Sequence, residues 1–564
     1  AETDPLRAFG RAIVLGAGLW VWAVALPVVL KWILIGRWTA REFPAWGTTY
    51  LRFWAVRQLL RFNPVVLFAG SPLYSVYLRL LGARIGRHVL VATPLMPVCT
   101  DLLSIGDDSV IGRHVLLNGY RVEAGRVRTG AVTIGRGCFI GESTVVDIDT
   151  AMGDGSQLGH SSALLPGQRV AADQRAHGSP AQPTDTDYRR VPDGAPPGRW
   201  RLALFSLAQL GWLGLVSLPL PLWALYLVSS EQGQRLEERF SLHLLGHGHP
   251  SHWDALGLVA LVGAGGLLAG AAVWSLVMVT LPRWLSGLLT PGRVYPLYGP
   301  HYLLLQWITA WSNSKFHNAL AGDSQYATSW LQAIGYRMPA LEQTGSNFGM
   351  SQTHDVPTLC TFGSGTMVSD GLLVSNTDLS AGQFRVGHAE IGARNFIGNG
   401  VLFPAGARTG DNCLLATRTM VPIDGPLREN VGLLGSPCFE IPRSVLRDQP
   451  DARLLDPVWR ADALRRKRHS NGLTMALFLA ARAGGAALAA VVFYGAYVGL
   501  PLPGAVSLAV GSVAALAVQV LWFIGVDRAS LLGRALEPRT DAVLDPAFWR
   551  HERFWKLGLA GDSV

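Results

Sequence analysis

Residues 132–164 read VTIGRGCFIGESTVVDIDTAMGDGSQLGHSSAL, and their period decides the fold. A branched or long apolar residue returns every six positions, at Ile134, Ile140, Val146, Met152, Leu158 and Leu164. A period of six fits neither an α-helix nor a single strand, whose side chains repeat every 3.6 and 2.0 residues. It fits a triangular coil of short parallel strands, in which apolar residues point inward and small residues turn the corners. The stretch therefore predicts a hexapeptide β-helix.

A second array with the same period lies downstream, so the chain carries two such coils. Its inward positions are predicted at Ile391, Ile397, Phe403, Thr409, Leu415 and Val421. Both arrays close with similar strings, HGSPA at 177–181 and LGSPC at 434–438. The predicted fold class is a membrane protein in which transmembrane α-helices alternate with tandem left-handed parallel β-helix domains, lobe one at 88–190 and lobe two at 343–445.

Long uncharged stretches flank the coils. They run over 12–30, 202–230, 255–282 and 483–526, and the last is broken by LPLPG at 500–504. A helix needs about 20 apolar residues to cross about 30 Å of hydrocarbon, so we predict five spans. Basic residues follow the first span and precede the fourth, at Arg37, Arg41, Arg52, Arg57, Arg61 and 465–468. The positive-inside rule then places both lobes on the cytoplasmic side of a multi-pass protein of the cell (inner or plasma) membrane.

The chain also repeats itself on a longer scale. KWILIGRWTAREFPAWGTTYL at 31–51 matches RWLSGLLTPGRVYPLYGPHYL at 283–303, and a third copy begins with PAFWRHERFW at 546–555. Each unit reads as membrane helices, then an aromatic and basic segment suited to the membrane interface, then a soluble lobe. The predicted order is a transmembrane helix (1–36), an interfacial segment (37–87), lobe one, a helix pair (201–283), an interfacial segment (284–342), lobe two, a helix pair (473–526) and an interfacial lead-in (527–564) to an absent third lobe.

Composition and charge exclude several other classes. The chain is 49% hydrophobic and 15% charged, with a mean hydropathy of +0.26, which disfavours a disordered or purely soluble protein. Its net charge of +9 comes mostly from Arg residues scattered beside apolar runs, which suits a lipid bilayer and not a nucleic acid. The five cysteines are far apart and form no CxxC pair, so they predict neither a disulfide framework nor a zinc site.

Several longer strings carry a family resemblance. They include VCTDLLSIGDDSVIG at 98–112, LGHSSALLPGQRV at 158–170 and TGDNCLLATRTMVPIDGPLRENVGLLGSPCFEIP at 409–442. Over essentially its whole length the chain resembles the C-terminal membrane and condensing region of ε-poly-L-lysine synthetase-like single-module nonribosomal peptide synthetases, which carry tandem hexapeptide acyltransferase-like domains. The resemblance implies upstream adenylation and carrier domains as partners, with six membrane helices and three tandem soluble domains in all. ATP would be used only by the adenylation domain.

The function that the resemblance implies is amide formation. The chain would be an aminoacyl or peptidyl transferase that joins a phosphopantetheine thioester, held on a carrier protein, to an amine acceptor such as lysine. Its products would be amino-acid homopolymers or short isopeptides such as ε-poly-lysine. Two alternatives stay open: a non-catalytic pseudo-acyltransferase scaffold that docks a carrier protein, or a membrane hexapeptide acyltransferase for another acceptor. The amino acid, the linkage and a homo-oligomeric state also stay open.

Hexapeptide acyltransferases usually act as trimers, with the thioester arm between neighbouring coils and a His as general base. The excursion loops at 117–127 and 374–384 are where the base is expected, and the family pattern places Tyr120 and Thr377 at its position. Neither replaces a His at neutral pH, so the chief base is expected in the third lobe. The candidate residues are Tyr120, Arg121 and His160 for catalysis, Asn118, Asn376 and Asp378 for substrate binding, and Gly178 and Gly435 for the cofactor arm.

Other histidines have weaker functional interpretations. His160 lies in LGHSS, which also looks like a phosphopantetheine attachment sequence, but the phase of Leu158 favours an ordinary coil turn. His354 and Asp355 could form a pair, although neighbours in a strand point to opposite faces. His243, His247, His249 and His252 could bind a metal. No acidic framework accompanies them, so an interfacial loop is favoured and no metal is expected.

Overall fold

The structure is a computed structural model that describes residues 5–220, 223, 252–339, 351–443, 453, 456–530 and 541–558. The helices are α1 (Pro5–Leu34), α2 (Thr48–Arg61), α3 (Pro72–Leu80), α4 (Arg199–Trp212), α5 (His252–Ser286), α6 (Pro300–Ser312), α7 (Lys315–Ala321), α8 (Tyr326–Ile334), α9 (Pro457–Gly499), α10 (Gly504–Ser530) and α11 (Pro546–Leu557). Shorter helical turns lie at Pro64–Phe68, Thr100–Leu102, Leu213–Ser217 and Pro357–Leu359.

Four helices in the described part of the chain are long and apolar enough to cross a membrane. Their apolar segments are Leu6–Leu34, Leu256–Ser286, Pro457–Gly499 and Val506–Ser530. They coincide with the first, third, fourth and fifth predicted spans, so the membrane character of the protein is supported by length and composition. The predicted span 202–230 begins in α4, but most of its second half lies outside the described residues.

Lobe one is a coil of short parallel strands. Its strands, preceded by β1 (Glu42–Pro44), are β2 (Arg84–Ile85), β3 (Leu90–Val91), β4 (Leu103–Ile105), β5 (Val110–Ile111), β6 (Leu116–Leu117), β7 (Tyr120–Glu123), β8 (Arg126–Thr129), β9 (Val132–Ile134), β10 (Phe139–Ile140), β11 (Val145–Val146), β12 (Thr150–Met152), β13 (Gln157–Leu158), β14 (Ala163–Leu164), β15 (Arg169–Val170), β16 (Arg175–His177) and β17 (Gln182–Pro183). Ile140 pairs in parallel with Leu158, and Val146 with Leu164, so three six-residue steps complete one turn. The three sheets are the walls of the coil.

Lobe two repeats this plan. Its strands, preceded by β18 (Val294–Pro296), are β19 (Thr353–His354), β20 (Cys360–Phe362), β21 (Met367–Val368), β22 (Leu373–Val374), β23 (Thr377–Ser380), β24 (Gln383–Val386), β25 (Ala389–Ile391), β26 (Phe396–Ile397), β27 (Leu402–Phe403), β28 (Arg408–Thr409), β29 (Leu414–Leu415), β30 (Gly432–Leu434) and β31 (Phe439–Ile441). Ile397 pairs in parallel with Leu415, and Val374 with Phe403. The residues predicted to point inward are buried in both coils.

The first two interfacial segments each form a strand that pairs with the hairpin in the excursion loop of the following lobe. In lobe one, Phe43 of β1 pairs with Val127 of the β7–β8 hairpin, and in lobe two, Tyr295 of β18 pairs with Phe384 of the β23–β24 hairpin. Trp38 and Phe53 are buried against coil one. The long-range repeat is therefore a repeat of tertiary structure, because equivalent segments fold onto equivalent hairpins.

The two lobes pack side by side. Phe139 of lobe one shares a buried apolar cluster with Leu373 and Leu402 of lobe two. Backbone hydrogen bonds cross the junction as well, since the Ser179 amide donates to the Ser436 carbonyl at 2.8 Å. The coils therefore share an interface that combines buried apolar side chains with backbone hydrogen bonds.

Successive units also contact each other through equivalent carbonyl groups. The Tyr302 hydroxyl of α6 donates to the Gly70 carbonyl of the first unit at 3.0 Å. The Lys556 ammonium of α11 donates to the Gly322 carbonyl of the second unit at 2.7 Å. Gly70 and Gly322 each belong to an Ala-Gly pair that occupies the same place in the repeat. Each unit thus offers the same carbonyl to a helix of the next unit.

Candidate functional site

One corner of coil one carries a row of residues that faces lobe two. The parallel register aligns Ile111, Ile140, Leu158 and Ala176 on successive turns. The residues two positions beyond them therefore stack along one corner, and they are Arg113, Glu142, His160 and Gly178. We call these four residues the corner row. It contains one cation, one carboxylate and one imidazole at the junction of the two lobes.

Arg113 forms an ion pair with Asp355 of lobe two. The Arg113 side chain is 19% exposed and the Asp355 side chain only 3%. Glu142 is buried beside them, and burial raises its pKa, while the Arg113 charge lowers it. The Glu142 Oε2 atom has no hydrogen-bond partner. The junction therefore contains buried charges from both lobes, and each charge is stable there only because neighbouring groups compensate it.

His160 is held by its own coil. Its Nδ1 accepts a hydrogen bond from the Glu142 amide at 2.9 Å. Its ring meets Phe139 and Tyr188 edge-on, at centroid distances of 6.0 and 5.7 Å. Burial lowers the pKa of His160 to about 3. The imidazole is therefore neutral at physiological pH, and its Nδ1 holds the Glu142 backbone instead of taking up a second proton.

Gly178 ends the corner row where the lobes touch. A Cβ atom there would overlap Pro437 Cδ and lie 2.9 Å from the Ser436 carbonyl, both in lobe two. The Ser436 hydroxyl in turn donates to the Ser161 carbonyl at 2.8 Å. Gly435, the equivalent glycine of lobe two, has its nearest neighbour at 3.3 Å, the Pro437 carbonyl of its own turn. The lobe-two turn thus occupies the space above Gly178.

Asn118, Tyr120 and Arg121 form a separate group. Asn118 donates to Asp147 Oδ1 at 3.1 Å, and Arg121 reaches Asp147 Oδ2 at 2.8 Å. The Tyr120 ring packs edge-on against Phe53 of α2, with centroids 4.9 Å apart. The structure therefore brings these three candidates together around one carboxylate and one helix, and it places His160 with the corner row instead.

The two candidates of the second excursion loop have different surroundings. Asn376 is fully buried, and its amide accepts from the Val356 amide and donates to the Gly387 carbonyl, both at 3.2 Å. The Asn376 amide is therefore used within lobe two. Asp378 pairs with Arg385 at 2.7 Å, and burial raises its pKa. Its charge also acts on Glu142, so Asp378 lies near the corner row.

A cavity of about 540 Å³ opens beside Arg113, between the two lobes and against α4. Its aromatic wall contains Trp212, Trp307 and Trp311, whose ring centroids lie 5.4 to 6.2 Å apart. Its polar wall includes Arg113 and Asp355. Sequence reasoning did not find this cavity. The only sequence feature that pointed to this region is that Arg113 and Glu142 each follow an inward-pointing isoleucine by two residues.

Two further histidines border this cavity. His354 follows the register of Val374, so it points into coil two, where its ring meets Tyr336 at 5.3 Å. Burial lowers the pKa of His354 to about 3. His114 is exposed at the cavity wall. Asp355 therefore faces the junction while its neighbour His354 does not, as strand alternation requires.

No metal site is formed by the described residues, where no group of three His, Cys, Asp or Glu side chains is arranged to hold an ion. His243, His247 and His249 lie outside the described residues, and α5 begins at His252. Four of the cysteines are buried, and the fifth, Cys438, is half-buried.

Comparison with known proteins adds one distant relative. No protein-family model matches the chain. It is similar to a delta-poly-L-ornithine synthetase from Acinetobacter baumannii (strain AB307-0294), with 23% identity over 446 residues, covering 77% of this chain and 32% of that protein. The chain thus spans about a third of the length of this curated relative.

Among solved structures, hexapeptide-repeat acetyltransferases match parts of the chain. A galactoside acetyltransferase in complex with coenzyme A has 16% identity and a TM-score of 0.22, covering 26% of this chain and 86% of that one. A hexapeptide-repeat acetyltransferase from Vibrio cholerae has 18% identity and a TM-score of 0.18, covering 24% of this chain and 92% of that one.

Proposed function

We propose that this chain is the membrane-embedded condensing part of a nonribosomal peptide synthetase that makes amino-acid homopolymers or short isopeptides. The similarity to a poly-ornithine synthetase supports polymer synthesis, and the four apolar helices support a membrane location. The observation that carries the proposal is the corner row of coil one, buried against lobe two beside a cavity. A junction between two coils is the place where hexapeptide acyltransferases are expected to work.

The reaction joins a carrier-bound aminoacyl thioester to a free amine. The amine nitrogen attacks the thioester carbonyl carbon, the C–N bond forms, the C–S bond breaks, and the thiolate leaves with the electron pair. The proton lost by the amine ends on a base or on the leaving sulfur. Holding the two reactants in one desolvated junction contributes about 7–11 kcal/mol through proximity. The carrier protein, its phosphopantetheine arm and an ATP-using adenylation domain are proposed partners.

The chief base is proposed to lie outside the two lobes. Tyr120 and Thr377 occupy the expected position of the base, and the Tyr120 ring packs on α2. His160, with a pKa of about 3, accepts a proton too weakly at neutral pH. We therefore assign His160 and Arg121 to positioning, and Asn118 and Asp378 to substrate binding.

A third β-helical lobe is the proposed partner of lobe two. Phe139 of lobe one lies in an apolar cluster that includes lobe-two residues and is 5% exposed, whereas Phe396, at the equivalent position of lobe two, is 37% exposed. Tyr302 and Lys556, which belong to successive units, donate to the equivalent carbonyls of Gly70 and Gly322, and this supports a third unit packed against the second. We further propose that the coils are left-handed and that all lobes lie in the cytoplasm.

The test uses the full-length protein, purified in detergent, with synthetic lysyl and ornithyl pantetheine thioesters and free lysine or ornithine. Mass spectrometry should show new amide products, and this 564-residue chain alone should form none because the third lobe is needed. Transfer of acetyl groups from acetyl-coenzyme A, without amide formation between amino acids, would contradict the proposal and favour another acyltransferase. Carrier binding without any transfer would favour the scaffold alternative, which Tyr120 and Thr377 also suit.

A further inference from the structure

The end of α2 lies beside the apolar part of α1. Asn63, which follows α2, donates to the Tyr77 hydroxyl, and this hydroxyl donates to the Val24 carbonyl of α1 at 3.1 Å. Val24 belongs to the uncharged stretch 12–30, and Lys31 is the first charged residue after it. At 1.5 Å per helical residue, Val24 lies about 10 Å deeper along α1 than Lys31. The end of α2 is therefore at the boundary between lipid headgroups and hydrocarbon.

Two large apolar side chains are exposed at this depth. Phe62, the residue after α2, is 79% exposed, and Leu67, in the helical turn Pro64–Phe68, is 69% exposed. Phe68 packs edge-on against Trp20 of α1 with ring centroids 5.7 Å apart, so this turn also lies against the apolar part of α1. Apolar side chains exposed beside a membrane helix are suited to contact with lipid acyl chains.

Two arginines precede these apolar residues on α2. Arg57 and Arg61 are four residues apart, so their side chains are neighbours on the helix surface. In the part of the chain that the structure describes, neither forms an ion pair, and each guanidinium lies 6.0 Å from an aromatic ring centroid. The single acidic residue of 37–63, Glu42, pairs with Arg126. Like charges at this spacing repel each other, and an anion bound between them would relieve the repulsion.

The equivalent surface of the second unit has a different character. The repeat offset that aligns residue 31 with residue 283 pairs Arg57, Arg61, Phe62 and Leu67 with Thr309, Asn313, Ser314 and Ala319. None of these four counterparts is basic or aromatic. Ala319 is buried in a cluster with Phe478 of α9 and Leu557 of α11. The second unit therefore uses this surface for protein contacts, whereas the first unit leaves it exposed and cationic.

We propose that Arg57 and Arg61 bind the phosphate of an anionic phospholipid whose acyl chains contact Phe62 and Leu67. Charge complementarity selects an anion, and the exposed apolar side chains select a lipid over a free phosphate. The site belongs to the first unit, because the second has no such arginines. The inference goes beyond the proposed reaction and rests only on the membrane location that the apolar helices support.

The test measures binding of palmitoyl-oleoyl phosphatidylglycerol to the detergent-solubilised chain by native mass spectrometry. Phosphatidylcholine with the same acyl chains is the zwitterionic comparison. Each arginine near a membrane surface contributes about fivefold in affinity for anionic lipid, so Arg57→Gln/Arg61→Gln should weaken phosphatidylglycerol binding about 30-fold and leave phosphatidylcholine binding unchanged. Arg57→Lys/Arg61→Lys should keep most of the affinity, because it keeps both charges. Phe62→Ala should weaken both lipids by a similar factor, because acyl-chain contacts do not depend on the headgroup.

The matched control is Arg136→Gln/Arg169→Gln, which removes the same two charges from exposed sites on coil one. Arg169 lies in β15, at the opposite edge of its sheet from β2. This control should keep the phosphatidylglycerol affinity of the unaltered chain. Equal affinity of the unaltered chain for the two lipids, or equal losses in the site variant and the control, would overturn the site and leave the proposed reaction standing.

A photoactivatable phosphatidylglycerol locates the site. It should label peptides from 57–68 in preference to the equivalent peptides from 309–320, and equal labelling of the two would contradict a site in the first unit. Displacement of the lipid by an equal concentration of inorganic phosphate would also overturn the proposal, because the site would then select a free anion. A lipid preference that this chain shows and the full-length protein lacks would overturn it as well, because protein would then cover this face of α2.

Discussion

Gly178→Ala should loosen the junction between the lobes, whereas Gly435→Ala in this chain should not. Both glycines have positive φ angles, +110° and +93°. A Cβ atom in the left-handed region costs about 1–2 kcal/mol, and both variants incur this cost. Only the Gly178 variant adds a steric overlap with the other lobe, at Pro437 and Ser436. Overpacking adds a further cost of about 1–3 kcal/mol.

Hydrogen exchange measures this difference directly. The Ser179 amide donates across the junction to the Ser436 carbonyl at 2.8 Å, so its protection reports lobe contact. An added cost of about 1–3 kcal/mol corresponds to a loss of protection of about 5- to 150-fold in the Gly178 variant. A peptide that covers 175–183 should show the loss there and retain its protection in the Gly435 variant. Equal protection in the two variants would refute the role of the overlap.

Three further predictions follow from the same junction and from α11. Arg113→Met should lower stability by about 3–5 kcal/mol in denaturant unfolding, because Asp355 is left as an unpaired buried charge; a loss below about 1 kcal/mol would contradict the ion pair. Phe139→Ala should lower the free energy of unfolding by about 3–5 kcal/mol, and Phe396→Ala, at an exposed site, should lower it much less. Equal losses of stability in melting experiments would argue against an apolar core shared by the two lobes. Burial raises the pKa of Glu552 to about 7 from 4.5, so α11 docking should weaken as pH rises between these values. Glu552→Gln should flatten this slope in hydrogen exchange of 541–558, and a slope unchanged by the substitution would count against it.

The period of six was sufficient to predict the inside of each coil. Ile140, Leu158 and Leu164 are at most 1% exposed, and Thr409 occupies an inward position in lobe two at 4%. The reason is that a coil wall repeats one local geometry, so each residue's environment depends only on its phase. The arrangement of the corner row against lobe two could not be predicted this way, because Arg113 and Asp355 meet only after two distant domains dock.

The aromatic segments show where local pattern is ambiguous. Trp38 and Trp46 both lie in a stretch predicted to be interfacial, yet Trp38 is 3% exposed and Trp46 is 87% exposed. An indole ring is equally suited to a membrane interface and to a protein core, so composition alone does not show which of the two environments a tryptophan occupies. The cavity was missed for the same reason, since its Trp307 and Trp311 read as interface residues.

The two lobes use the same corner for different chemistry. In lobe two the parallel register aligns Val368, Ile397, Leu415 and Leu433. Two positions beyond them stand Asp370, Asn399, Thr417 and Gly435, where lobe one has the corner row. Only the final glycine is common to both sets, and in lobe one that glycine is required by contact with the next lobe. The packing position is therefore shared while the charged and imidazole positions have diverged, so in lobe two the carboxylate Asp370 stands where lobe one has the cation Arg113, and no imidazole follows it.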